Sequence, residues 1–535
     1  MSNQSYRPGP QRPRTASQIQ YEAMQRRISQ RFGEFGERDA AAVSHDPLED
    51  NHVRPMLKVM AGLLAASAIM TYTVGTASRI ANGFVAVIVA GLVYHMVTRF
   101  PVHESARYFF GVSIFLEAAT DIPTYWHPPL AFADMAYYAS LKDFAGVPGL
   151  SLPIFFFGAI GLLHRARKNL RKREELTPPP RHAVQAMTFF LVAVLSVEAW
   201  GLARGGNLQP SFFQILHLVT MPLVGLTFLY AFRGPEDLPA IGSIIVTAAV
   251  ARSALCTFTY FTLAARFHNE EGFFVTTHAD TVLFTAAIFI LIAYAIETRD
   301  RRTVLRCIGL TAAIFAGVAL NNRRLAFVSL GAAPVMMYLS LKPSPTKRKV
   351  TRAAFVVVGL VLVYLIVGGQ MEGDSPLWKP AKLAMSVLDQ KDSSSESRDI
   401  ENYNLIYTMS QSPAVGQGFG WEYKEKLQLY DISELFSLYR YIAHNGVLWI
   451  WSVGGVVGFT ALWFIYPLTI TLGMRAYRTA QNPVERAASL AGIGVVVAVI
   501  AQIWGDQGWN SYLTLILFAV AFASLARLEA AGEVA

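Results

Sequence analysis

Cysteine is almost missing from this chain. The two present, Cys256 and Cys307, exclude a disulfide framework by their number, and neither has metal-ligand spacing. Charge is scarce as well: Asp, Glu, Lys and Arg make up 16% of 535 residues, where a soluble protein carries roughly 25%. There is no P-loop, no dinucleotide fingerprint and no His-Glu-x-x-His, so neither ATP hydrolysis nor a cofactor is expected on this chain. The net charge of +9 does not require nucleic acid as a partner. The basic residues fall in short runs between apolar stretches, the pattern that positive-inside membrane loops produce.

Apolar sequence fills the space that charge vacates. Hydrophobic residues reach 53%, with a mean hydropathy of +0.35. They form stretches of about 17–25 residues, the length needed to cross a bilayer core of about 30 Å as a helix. A closed barrel is the other spanning solution, with shorter strands of alternating polarity. The segment AAFVVVGLVLVYLIVGG (353–369) shows no alternation. The expected fold is therefore an all-α polytopic membrane protein with about 14 transmembrane helices and one large extracytoplasmic loop. The spans are placed at 56–78, 81–98, 105–122, 148–164, 183–203, 211–232, 239–263, 278–297, 303–320, 325–341, 353–369, 444–472, 484–504 and 509–527. The third is the weakest, because Glu117 and Asp121 interrupt it. The aromatic stretch 123–147 has room for a re-entrant piece.

The basic runs 164–173, 299–302, 342–349 and 475–486 all fall on one side when the spans are numbered in order. That side is read as cytoplasmic, with both termini on it. Residues 1–55 read as a disordered cytoplasmic tail with a short helix at 16–31, either passive or a regulatory dock. No apolar core precedes residue 56, so a cleaved signal peptide is not expected. The remaining divisions are helices 1–11 over 56–369, a large periplasmic loop at 370–443, and helices 12–14 over 444–535.

Polar residues on the outward side carry the candidate chemistry. NNRR (321–324) puts Arg323 and Arg324 on an outward turn, against the charge rule. Guanidinium forks match phosphate oxygens, but snorkelling to lipid headgroups is the other reading. In the loop, SRDIENYNLIYTM (397–409) reads as an amphipathic helix with Leu405, Ile406 and Met409 on its apolar face. Arg398 near its start suits an anion, or a salt bridge to Glu401 or Glu396. His444 and Asn445 open the twelfth span. A histidine titrates near neutrality and accepts a hydroxyl proton, while many interfacial histidines are only structural. Arg252 stands near the middle of the seventh span, where charge faces a cavity or a partner. Glu117, Glu198 and His217 are candidate partners or cavity liners, and Arg204, Arg266, His268, His278, Asp280 and Asp506 lie toward the outer face.

An Arg after an outward-ending span, a Ser-Arg helix in a large loop, a Pro-x-x-Gly-x-Gly-Phe-Gly turn and a His-Asn opening the next span follow in that order. The pieces are NNRRLAFVSLG (321–331), SESRDIENYNLIYTMSQSPAVGQGFG (395–420) and AHNGVLWIWSVGGVVGF (443–459). The arrangement resembles the O-antigen ligase and Wzy-type polysaccharide polymerase superfamily over residues 300–470, with DQGWNS (506–511) matching more loosely. The resemblance implies a helical bacterial inner-membrane enzyme of the GT-C-like kind. Such an enzyme is an inverting, metal-independent glycosyltransferase. It moves a glycan from an undecaprenyl-pyrophosphate donor to a hydroxyl at the periplasmic face. By position Arg324, Arg398 and His444 are the expected catalytic residues. Arg324 is favoured over Arg323 because RRLA aligns with the usual Ser-Arg-x-Ala. Arg323, Asn445, Asp280, Arg252 and Asp506 are the expected substrate-binding residues, with Asp280 the runner-up to His444 as base. Membrane lipid, a glycan flippase and a chain-length regulator are the expected partners. Fourteen spans exceed the twelve associated with the ligases, and the long tail is unusual. The expected activity is a polysaccharide polymerase of exopolysaccharide, capsule or O-antigen biosynthesis. The alternatives are an O-antigen ligase or oligosaccharyltransferase acting on lipid A-core or protein, and a lipid-linked glycan transporter. The absence of an internal repeat and the clustered Arg and His argue against the transporter.

Overall fold

The structure is a computed structural model that describes residues 50–73, 79–117, 130–146, 151–171, 177–262, 276–298, 300–321, 323–371, 378–385, 393–434 and 438–534. The helix expected at 16–31, nearly all of the expected tail, Asp121, Arg266 and His268 lie outside the described residues. Helix is the regular structure throughout, and the described residues contain no strand. The first group is α1 (Asp50–Thr73), α2 (Arg79–Arg99), α3 (Val102–Leu116), α4 (Ala131–Tyr138), α5 (Leu141–Ala145) and α6 (Ile154–Arg171). Then come α7 (Arg181–Ala203), α8 (Leu208–Ala231), α9 (Leu238–Thr262), α10 (His278–Glu297), α11 (Arg301–Leu320), α12 (Arg324–Ser340) and α13 (Pro345–Gln370). The large loop carries α14 (Lys379–Met385) and α15 (Ser393–Gln411). It leads into α16 (Gly446–Trp463), α17 (Ile465–Thr479), α18 (Pro483–Gly505) and α19 (Tyr512–Val534).

Among the described residues, ten helical runs are long and apolar enough to cross a membrane. The expected spans 56–78, 105–122, 148–164 and 325–341 fall on α1, α3, α6 and α12, which are outside the ten. Their composition explains the difference. The 15 residues of α3 rise only about 22 Å, short of a bilayer core of about 30 Å, and the 17 of α12 stand at the lower limit of a spanning helix. Arg165, Arg167 and Lys168 lie in the second half of α6. Glu117 does not interrupt a span; it stands at the C-cap where α3 ends. The aromatic stretch after it holds the short helices α4 and α5.

The centre of the bundle is α10, α18 and α19. In their most apolar windows 72%, 78% and 89% of residues are buried, against none in α13. Small residues let these helices approach. A Cβ placed on Gly494 of α18 would stand 3.0 Å from the Phe289 ring of α10, and one on Gly492 2.9 Å from Leu525 of α19. Such close backbone approach drives helix association where lipid removes the hydrophobic force. On α13, Phe355 and Leu360 face outward, as suits a helix whose apolar surface runs all round.

Polar pins fix the register of the core. Arg252 of α9 and Asp280 of α10, both buried, pair at 3.5 Å. At the other end of α10, Arg486 Nε donates to Glu297 Oε2 at 2.7 Å, and Tyr477 Oη donates to Glu297 Oε1 at 2.9 Å. Helix starts are capped in the usual way. Asn445 Oδ1 accepts from Val447 N and Leu448 N, and Asp300 Oδ2 accepts from Thr303 N.

Candidate functional site

The loop helix α15 turns a polar stripe inward. Glu401, Asn404 and Thr408 are buried together with Leu405, whereas Ile406 is 49% exposed. The expected apolar face of Leu405, Ile406 and Met409 is therefore corrected, and the reason is hydrogen bonding. Asn404 Oδ1 accepts from Lys426 N and Leu427 N, and its Nδ2 donates to Leu427 O. Thr408 Oγ1 accepts from Lys424 N. A helix in a loop without a large core gains more by satisfying the next segment's backbone than by burying Ile406.

Glu401 has a different partner. Its carboxylate accepts from the His444 backbone N–H at 3.1 Å and stands 3.2 Å from His444 Nδ1. A carboxylate on Nδ1 selects the tautomer that protonates that nitrogen and leaves the Nε2 lone pair available. Tyr423 packs nearby. Burial, reinforced by the Glu401 charge, pushes its hydroxyl well above the ordinary tyrosine range, so it stays protonated. Tyr439 is pushed up to about 12 by burial and by Glu425 beside it, whose Oε1 accepts its hydroxyl hydrogen. Arg440 holds a left-handed backbone (φ 66°), uncommon for a residue with a side chain. Its guanidinium is clamped by Glu422 at 2.6 Å and Glu425 at 3.4 Å.

The glycine turn that follows α15 is a docking device. Gly418 has φ 84°, and a Cβ there would lie 2.1 Å from Gly201 Cα at the end of α7. Only glycine satisfies both constraints. The turn also repairs a broken helix. Gly455 interrupts α16 with φ 58°, and the loop backbone takes up the released groups. Gly418 N donates to Val453 O, Val456 N to Pro413 O and Val457 N to Ala414 O, at 2.8–3.0 Å. Irregular backbone at membrane depth is tolerated when protein groups satisfy it in this way. Gln214 of α8 completes the dock: its Oε1 accepts from Gly420 N and its Nε2 donates to Tyr441 O.

Across from the loop, helix ends converge. His278 opens α10, Asp506 closes α18, Tyr512 opens α19 and Glu117 closes α3. His278 is bracketed on both ring nitrogens: Nδ1 pairs with Asp506 Oδ2, and Nε2 accepts from Arg323 Nη1 at 2.6 Å. Gln502 Nε2 donates to Asp506 Oδ2 at 3.2 Å. The Gln507 backbone N–H donates to His444 O at 2.9 Å, tying this side to the loop. Together they enclose a cavity of about 1030 Å³, lined by Arg398, Glu401 and His444 from the loop and by Glu117, Asp134, His217, His278, Gln502, Asp506 and Tyr512 from the helical domain. Among the described residues no group of three or more His, Cys, Asp or Glu stands ready to hold a metal ion.

Arg398, His444 and Asp506 of the expected residues thus share one cavity, and the expected outer-face residue His278 joins them. Arg324 begins α12 and is not among the lining residues; Arg323, beside it, reaches the cavity through His278. Asn445 caps α16. Arg252 and Asp280 pair within the helical core, away from the lining. Arg204 donates to Gly416 O at the dock, and Glu198 accepts from Ser211. Glu401 was expected only as a partner for Arg398. Its signal was the polar stripe 401, 404 and 408, at helical spacing. Asp134 and Gln502 carried no local signal.

Residues 272–463 match the family model described as O-Antigen ligase. The matched stretch holds Arg323, Arg324, Arg398, Glu401 and His444. The chain is thus a polytopic helical membrane protein with an O-antigen ligase-like segment, as its motifs indicated. The match supports a ligase- or polymerase-type membrane enzyme of glycan biosynthesis. No curated protein gives a significant match to the chain.

Proposed function

We propose that this protein is a polysaccharide polymerase. It transfers a glycan from undecaprenyl pyrophosphate to a sugar hydroxyl at the periplasmic face of the inner membrane. The observation that carries the reading is that Arg398 and a carboxylate-held His444 line one cavity, within the segment matching the ligase family. In the proposed step an acceptor hydroxyl oxygen attacks the anomeric carbon in line and inverts it. The new glycosidic C–O bond forms as the bond to pyrophosphate breaks, and the electron pair leaves on the pyrophosphate oxygen. The hydroxyl proton passes to His444 Nε2, and Glu401 stabilises the resulting imidazolium. Arg398 meets charge that grows on the leaving group, so it favours the transition state over the ground state. Guanidinium charge serves where other phosphate-dependent transferases use a metal, and the transfer is read as metal-independent.

Orientation follows the positive-inside rule. Arg301, Arg302, Arg475 and Arg486 lie at helix ends opposite those that bear His278 and Asp506, which supports reading the cavity as outward-facing. The polyprenyl tail stays in lipid while its pyrophosphate meets the loop. The test is a deletion strain examined for its glycans. Single repeat units in place of long chains are expected. Long chains accumulating on the lipid carrier would instead identify a ligase. Well-expressed Arg398→Ala and His444→Ala variants with full activity would sink the site assignment.

A further inference from the structure

The helical side of the cavity carries two carboxyl side chains away from the Arg398, Glu401 and His444 group of the loop. Glu117 and Asp134 line it, with Ser511, Asn510 and the stacked rings of Tyr138 and Tyr512, 4.7 Å apart. Glu117 is held by one oxygen only. Its Oε1 accepts from Ser511 Oγ at 3.2 Å and from Leu513 N at 3.3 Å. Its Oε2 is buried and has no hydrogen-bond partner. Buried polar atoms are nearly always satisfied, and an exception calls for a donor that arrives from elsewhere. Arg398 is the arginine of the lining, so the donor's charged group is assigned to its side. A neutral ligand rich in hydroxyl donors, with apolar ring faces to lie against tyrosine, matches this end.

We infer that the end of the cavity around Glu117 is a sugar-hydroxyl subsite, in which Glu117 Oε2 accepts a hydroxyl hydrogen of the glycan while Oε1 stays pinned to Ser511 and Leu513. The inference rests on the glycan-transfer reading and adds to it the residues that hold the sugar. It gives the cavity a polarity: pyrophosphate at Arg398, sugar at Glu117. The sugar belongs either to the donor or to the acceptor, and the shared chemistry is a pyranose hydroxyl.

The test measures binding of two probes to the full-length protein in detergent. One is undecaprenyl pyrophosphate. The other is the oligosaccharide freed by mild acid from the lipid-linked glycan of cells lacking the protein. Glu117→Gln keeps the shape and an oxygen for Ser511 but turns the other atom into a donor. It is expected to weaken oligosaccharide binding roughly tenfold, the value of one hydrogen bond, and to leave undecaprenyl pyrophosphate binding unchanged. Arg398→Ala is expected to do the reverse. Asn510→Ala, at the half-buried neighbour of Ser511, should repeat the oligosaccharide loss and serves if Glu117→Gln does not fold. Oligosaccharide that competes with the lipid-linked glycan assigns the subsite to the donor sugar. Oligosaccharide that binds alongside it assigns the subsite to the acceptor; both outcomes support the inference. Wild-type oligosaccharide affinity in the folded variants, or no binding to the wild type, overturns the subsite. Undecaprenyl pyrophosphate binding indifferent to Arg398→Ala overturns the transfer reading instead.

Discussion

Replacing Glu401 with glutamine removes one charge and almost no volume, and its consequences can be worked from the geometry. The carboxylate stands 3.2 Å from His444 Nδ1, with side-chain exposures of 9% for Glu401 and 41% for His444. A hydrogen bond to a charged group contributes about 1.5–3 kcal/mol, and partial exposure of the histidine favours the lower part of that range. At about 1.4 kcal/mol per decade, Glu401→Gln should lower kcat by roughly 10- to 30-fold. The mechanism is specific. A glutamine amide can donate to Nδ1, which moves the imidazole proton to Nε2, the nitrogen meant to receive the hydroxyl proton. The side-chain oxygen still accepts from the His444 backbone N–H, so folding should be unaffected. The assay is chain extension on purified lipid-linked glycan across pH, with the melting temperature as control. The expected result is a depressed kcat, a changed acid limb of the pH–rate profile, and a KM near that of the wild type. A folded Glu401→Gln with kcat within about twofold of wild type and an unchanged pH profile would refute the positioning role.

Further expectations concern the dock, the core and the arginine pair. Gly418→Ala places a Cβ against Gly201 at φ 84°; a loss of at least about 3 kcal/mol of stability is expected, read as a lowered melting temperature. Arg252→Met leaves Asp280 in the core and should cost about 3–5 kcal/mol, whereas Arg252→Met with Asp280→Leu should recover most of it; equal melting temperatures for the single and double variants would contradict the pairing. Arg323→Ala should reduce activity about tenfold more than Arg324→Ala, because Arg323 reaches the cavity-lining His278; steady-state kinetics of the two variants decides. Dialysis against EDTA should leave the rate unchanged, and a loss restored by Mg²⁺ would overturn the metal-independent reading.

Much of the molecule is legible in the chain itself. Long apolar runs and basic punctuation specify helices across a bilayer, because a lipid-exposed backbone must satisfy its own hydrogen bonds. Ten of the expected spans coincide with helical runs long and apolar enough to cross a membrane, and the Ser-Arg and His-Asn motifs meet at one cavity. Local reading failed where polarity served a distant partner. The inward face of α15 was expected to be apolar because no sequence rule shows that Asn404 and Thr408 satisfy the backbone at 424–427.

Sequence alone determined the class of fold, the order of the motifs and the residue types that the proposed pyrophosphate chemistry needs. Only tertiary structure decided which of them meet. Glu401 and His444 are 43 residues apart, Arg323 and His278 are 45 apart, and Glu117 and Ser511 are 394 apart. No helical or strand period spans such distances. These pairs are set by helix ends converging on one side of a packed bundle, where the geometry of α3, α10, α18 and α19 fixes the neighbours of every polar side chain.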